Sequence, residues 1–157
     1  MKKLLLTLTF LGLTSAYINA ATTFTASVNI ENPIVLTETT ALSFGTVIAG
    51  EVGNTVITAS STLNTIVASG SGTLTGGTVG LISINGDASQ TVNLTITGPL
   101  TLTSGTKTLN ITWNIEKTTA TLDANGVASV KVGGALTVPA NASTGFYTGS
   151  YTVNATY

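Results

Sequence analysis

Six carboxylates, Glu31, Glu38, Glu51, Asp87, Glu116 and Asp123, are the only acids of this chain, and it has no His and no Cys. That inventory removes a thiol nucleophile, an imidazole base and an ordinary zinc site. Glycoside hydrolysis remains, because it needs only two carboxyl groups across a sugar. The placement of these acids argues against it. Asp87 closes Asn85-Gly86-Asp87 and Asp123 opens Asp123-Ala-Asn-Gly126, turn sequences in which an Asp side chain caps nearby backbone N–H groups. Glu116 follows an alternating strand and is expected to face water near Lys117. Asp123-Ala-Asn125-Gly126 resembles the start of a calcium loop, but the downstream Glu of such a loop is missing. It reads instead as a hairpin with Gly126 at positive φ. Trp113 could stack on a sugar. Between Ile111 and Ile115 at period two it reads as core. Phe146, beside Gly145, is the aromatic residue best placed for a surface ligand. The expectation is a non-enzyme with no cofactor and no metal.

The elements that must position these residues are strands. Apolar residues alternate at period two in Phe24-Ala26-Val28-Ile30, Ile82-Ile84, Val92-Leu94-Ile96 and Leu109-Ile111-Trp113-Ile115. Shorter runs surround Leu42-Phe44, Val47-Ile48, Val56-Ile57, Leu63 to Val67, Val130-Val132 and Leu136-Val138. Turn signals rich in Gly and Asn separate most of them, among them Ser69-Gly-Ser-Gly72, Gly76-Gly77, Ser104-Gly105 and Ser143-Thr-Gly145. The alternation predicts that Val130-Val132 ends at Gly133-Gly134. No segment of helical period appears. Short strands at this spacing predict an all-β, single antiparallel β-sandwich of immunoglobulin-like type with Greek-key connections. Residues 69–80 form the weakest part of the core pattern and read as an edge strand or loose loop.

The last eleven residues, Tyr147 to Tyr157, carry the longest alternation. Tyr147, Gly149, Tyr151, Val153, Ala155 and Tyr157 fall on one face, with Thr, Ser and Asn between them. This predicts a half-buried strand that ends the chain.

Met1-Lys-Lys followed by an apolar run to Leu13 has the form of a secretory signal peptide, too short to span a bilayer. Cleavage is expected after Ala20, with Ala16 as the alternative site. No second apolar run of spanning length follows. The expected organisation is 1–20 signal peptide, 21–31 N-terminal extension and 32–157 sandwich. The mature chain would carry Lys107, Lys117 and Lys131 against the six acids, with no Arg. Such a surface offers no footprint for nucleic acid or anionic lipid. Without Cys, packing and backbone pairing must hold the fold, or a strand from a partner must help. Thr, at about a fifth of the residues, suits a pleated, hydroxyl-rich surface.

Leu42-Ser-Phe-Gly-Thr46, Thr121-Leu-Asp-Ala-Asn-Gly126, Val132-Gly-Gly-Ala-Leu-Thr-Val-Pro-Ala140 and Thr144 to Tyr157 occur here in that order. Together they resemble the bacterial domain of unknown function 4402 family, which implies an exported β-sandwich of Gram-negative bacteria. A second resemblance is to subunits of chaperone–usher pili, which carry a Gly and a near-terminal Tyr twelve residues apart. Gly145 and Tyr157 have that spacing, although the pilin Tyr is penultimate and this one is last. Many such pilins also have a disulfide, which this chain lacks.

The pilin resemblance implies a fimbrial subunit at the cell surface that contributes to adhesion. Its assembly partners would be a head-to-tail homopolymer, a periplasmic chaperone and an outer-membrane usher. Phe24, Ala26, Val28 and Ile30 would then be donor-strand anchors, with Ala26 at a shallow pocket. Gly145, Tyr147, Gly149, Tyr151, Val153 and Tyr157 would mark the C-terminal assembly strand. A shaft subunit fits better than a tip adhesin, which usually adds a domain and lacks a donor strand. The competing expectation is a self-complete surface sandwich that binds an unknown ligand, with Phe24–Ile30 as its own first strand.

Overall fold

The computed structural model describes residues 22–157; the signal-peptide expectation lies outside them. The chain divides into two units between Ile30 and Glu31. In the first, described residues 22–30 form no strand and are exposed throughout.

The second unit is all β, with antiparallel pairing throughout and no helix among the described residues. Its strands are β1 (Val35–Thr40), β2 (Thr46–Ile48), β3 (Thr55–Ser60), β4 (Thr65–Ser69), β5 (Thr73–Thr75), β6 (Gly80–Asn85), β7 (Thr91–Thr97), β8 (Thr101–Ser104), β9 (Lys107–Ile115), β10 (Thr119–Thr121), β11 (Val127–Val138) and β12 (Thr152–Thr156). One sheet runs β1-β6-β11-β3-β4, with β9 also on β11 and β8 on β9. A second sheet runs β10-β7-β12, and β2 with β5 makes a small third. This is the expected β-sandwich architecture, with the larger sheet strongly curled.

The curl originates in β11. Its first half, Val127–Val132, pairs β6, while Gly134–Val138 pairs β3. Val132–Thr137 also pairs β9. A strand has two edges, so β3 and β9, which share Gly134–Thr137, must lie on opposite sides of it. Gly133-Gly134 sits where β11 exchanges β6 for β3. A Cβ on Gly133 would lie 2.0 Å from the Ala59 carbonyl oxygen, and one on Gly134 would lie 2.3 Å from that of Thr112. These glycines therefore do not end a strand, as the alternation suggested. They let three neighbours crowd a single twelve-residue strand.

Two turns also differ from expectation. Asn85-Gly86-Asp87 and Asp123–Gly126 do not close hairpins, because β6 and β11 belong to one sheet and β7 and β10 to the other. They are corners between layers, and the Gly86 N–H donates to the Gly126 carbonyl at 2.9 Å to join them. Gly126 does take positive φ, at 76°. Residues 69–80 supply β5, which pairs β2.

The core has two parts. Ile82, Ile84, Val92, Leu94, Ala120, Leu122, Val130 and Val132 pack between the two main sheets. Ile57, Leu102, Leu109, Ile111, Leu136 and Val138 form the second cluster, under the curled end. The outward partners of this second cluster, among them Phe44, Trp113 and Tyr147, are only partly buried. The fold is therefore incompletely covered at that end.

Candidate functional site: a cleft between two unpaired strand edges

β1 pairs only β6, and β2 pairs only β5. Between them Ser43 makes a single bridge to Thr78. Residues 35–48 thus form a rim with one backbone edge paired. The C-terminal segment is its counterpart. Thr148 bridges Thr103 of β8, and Thr152–Thr156 pairs Thr97–Asn93 of β7. The predicted strand from Tyr147 to Tyr157 is therefore formed only in part: Thr152–Thr156 is β12, and Thr148 makes an isolated bridge ahead of it. Of the face expected to be buried, Tyr147, Tyr151, Val153 and Ala155 are half-buried, whereas Gly149 and Tyr157 are exposed like the Thr, Ser and Asn residues between them.

A cleft runs between these two rims. Its larger part, about 770 Å³, is lined by Phe44 and Val47 from the first rim, Tyr147 and Gly149 from the second, and Leu102, Trp113 and Leu136 at its floor. A smaller part of about 420 Å³ is lined by Leu36, Glu38, Ile82 and Val153. Leu42, Gly149 and Tyr151 belong to both. The walls are mostly aliphatic and aromatic, as a site for alternate side chains of an extended segment requires.

Three tyrosines set the cleft's form. Tyr157 ties the C-terminal rim to the residues that precede β1: its hydroxyl donates to the Asn32 carbonyl at 2.9 Å and accepts from the Asp87 N–H at 2.8 Å. Asp87 also accepts from the backbone N–H of Asn32 at 2.9 Å and from its side-chain amide. Tyr151 bridges the middle by donating to Glu38 Oε1 at 2.9 Å. Partial burial, reinforced by the Glu38 carboxylate, pushes the Tyr151 phenol up to about 12. The Tyr151 ring also packs on Trp113, centroids 5.2 Å apart at 39°. Tyr147 donates to the Ser143 carbonyl at 2.9 Å near the open end.

The two glycines of the C-terminal segment serve packing. A Cβ on Gly149 would meet Leu102 Cδ2 at 2.7 Å, and one on Gly145 would meet Ser104 Oγ at 2.6 Å. Both let the segment lie close against β8. Phe146 is 86% exposed beside the open end, as its position suggested.

Trp113 is half-buried: it contributes to the second cluster, its Nε1–H donates to the Pro99 carbonyl at 2.8 Å, and its remainder faces the cleft. Phe24, Val28 and Ile30 are 83–89% exposed, and Ala26 is exposed too.

The acids are dispersed. Asp123 caps its own corner by accepting from the N–H groups of Asn125 and Val127 at 2.8 and 2.9 Å. Those two bonds hold its carboxyl below the usual range. Glu116 meets Lys131, not Lys117, at 3.8 Å and accepts from the Lys131 backbone N–H. Among the described residues no three His, Cys, Asp or Glu side chains gather as a metal site. Among the described residues no helix forms, so none is long and apolar enough to cross a membrane.

Sequence reasoning found the C-terminal rim from its alternation. Of the opposite rim it found the runs Leu42-Phe44 and Val47-Ile48 but missed β1, because Val35–Thr40 reads Val-Leu-Thr-Glu-Thr-Thr with only two apolar residues.

The match to the family model covers residues 34–157 and carries the description Domain of unknown function (DUF4402). The chain belongs to this family. The DUF4402 domain so delimited begins just before β1 and includes both rims of the cleft. No curated protein and no solved structure matches the chain.

Proposed function

We propose that this protein is a structural subunit of an exported surface fibre, polymerised head to tail by strand donation. The observation that carries this reading is the apolar cleft between two rims, each with one unpaired backbone edge. An open cleft flanked by free edges is an aggregation hazard that proteins normally cover. An extended segment laid along it would satisfy both edges and bury alternate side chains. Phe24-Thr-Ala-Ser-Val-Asn-Ile30 has the required alternation, is exposed, and precedes the DUF4402 domain. Burying Phe24, Val28 and Ile30 would contribute about 1.5–3 kcal/mol each.

The contact is heterologous, so it extends into a fibre instead of closing. Export by the signal peptide, a chaperone that shields the cleft, and an usher that exchanges subunits belong to the same proposal. Catalysis does not.

The test is a denaturing gel of material sheared from the cell surface, run with and without boiling. A ladder at multiples of the subunit mass that collapses on boiling supports the reading. Val28→Asp or Ile30→Asp should abolish that ladder. A single monomer band in both lanes would reject it. The alternative, a self-complete ligand-binding module, draws on the exposure of Phe146. It requires glycan or matrix binding that Phe146→Ala removes.

A further inference from the structure

The cleft is not uniform along its length. The Tyr151 hydroxyl reaches Glu38 Oε1 at 2.9 Å from the opposite rim. Tyr151 also lines both parts of the cleft. The bridge therefore stands at the junction of a larger and a smaller chamber and spans the cleft there from one rim to the other. A strand lying in the cleft presents a side chain about every 6.6 Å. An occupant that fits needs bulk on both sides of the bridge and almost none above it.

The direction of the occupant follows from the Asn32 contacts. The exposed segment joins its own domain at Asn32, which Asp87 and Tyr157 hold. In a head-to-tail line it leaves one subunit at the Tyr157 end and enters the next from the open, Phe146 end. Ile30 then lies nearest the entrance and Phe24 deepest. That direction is antiparallel to the C-terminal rim and parallel to β1.

We propose that the Glu38–Tyr151 bridge sets the register of the donated strand, with Ala26 of a second copy seated over it. This rests on the strand-donation reading. With Ala26 level with Tyr151, the two-residue step places Val28 level with Gly149 and Ile30 level with Tyr147, in the larger chamber. Phe24 falls level with Val153 and Leu36, in the smaller one. The single small member of the inward row thus meets the point where the bridge spans the cleft. A slip of two residues would place Val28 or Phe24 on the bridge.

The chain has no cysteine, so an engineered pair reads the register directly. The full exported chain carries Leu36→Cys, which leaves the bridge intact, with Phe24→Cys, Ala26→Cys or Val28→Cys. A disulfide needs Cα atoms within about 7 Å. The Phe24→Cys pair should give at least ten-fold more boiling-resistant, reductant-sensitive ladder than either of the others. In otherwise unaltered chains, Ala26→Leu should cut polymer yield at least ten-fold, and Ser27→Leu, on the outward row of the same alternation, should leave it within two-fold. Unboiled ladders in all three pairs with the strongest cross-link at Ala26→Cys or Val28→Cys would overturn the register while strand donation stands. Equal yields of Ala26→Leu and Ser27→Leu would do the same. A disulfide confined to monomers, or no unboiled ladder from the unaltered chain, would overturn strand donation and the register with it.

Discussion

Single side chains here act mainly as braces for backbone. Asp123 accepts two N–H groups of its own corner, and this holds its carboxyl below the ordinary value of 3.8. A lowered carboxyl contributes stability above its unfolded value and loses it as pH falls through the folded one. Asp123→Ala should therefore lower Tm at neutral pH, and the gap from the unaltered chain should close at pH well under 3.8. A gap that persists in acid would mean the side chain acts by packing. Tyr151 has the opposite sign. Its phenol is raised from 10.0 to about 12, so its contribution is complete below about pH 10 and is lost as pH rises through 12. Tyr151→Phe should flatten that alkaline loss, read by urea midpoints between pH 9 and pH 12. Trp113→Phe removes the bond to Pro99 and should cost about 1 kcal/mol, read by the same denaturation.

At the scale of elements, β11 is the organiser. Because Gly133 and Gly134 have no room for a Cβ beside Ala59 and Thr112, Gly133→Ala or Gly134→Ala should destabilise the sandwich by about 1–3 kcal/mol or more, measured by urea unfolding. The sequence makes most elements readable, since β6, β7 and β9 show alternate apolar residues that meet the core. Gly133-Gly134 misleads because a glycine pair marks a turn and a close approach alike, and only the three neighbours of β11 distinguish them. β1, β5, β8 and β10 are too short or too rich in Thr to show a period. The corners at Gly86 and Gly126 carry hairpin chemistry, yet which sheet the next strand joins depends on distant pairing. Of the cleft, Tyr147–Tyr157 was legible. Of the other rim, Leu42-Phe44 and Val47-Ile48 showed as short apolar runs while β1 did not, and that they form a rim depends on an edge left free by β6 and β5.

For the whole molecule, the buried apolar core among the described residues lies within residues 57–138, and described residues 22–30 contribute nothing to it. Removing residues 21–31 should therefore leave a cooperative thermal transition for the domain while abolishing the unboiled ladder. Loss of both together would mean that the segment completes its own sandwich. In the polymer, each cleft would be filled and both rims paired. Its dissociation should then require far more heat than unfolding of the truncated domain, measured by scanning calorimetry of the two side by side.

One strand that serves three neighbours also has a meaning in time. β1, β3, β4, β6 and β9 all leave the ribosome before β11, yet the sheet that joins them waits for residues 127–138. Nearly every stabilising contact is therefore of long sequence range, the condition that slows all-β chains to milliseconds or seconds. A growing chain can close the β3–β4 and β8–β9 hairpins early, but it cannot join them into one sheet until residues 127–138 have been made. Under the export reading proposed above, that delay would help keep the chain threadable through a narrow translocation pore.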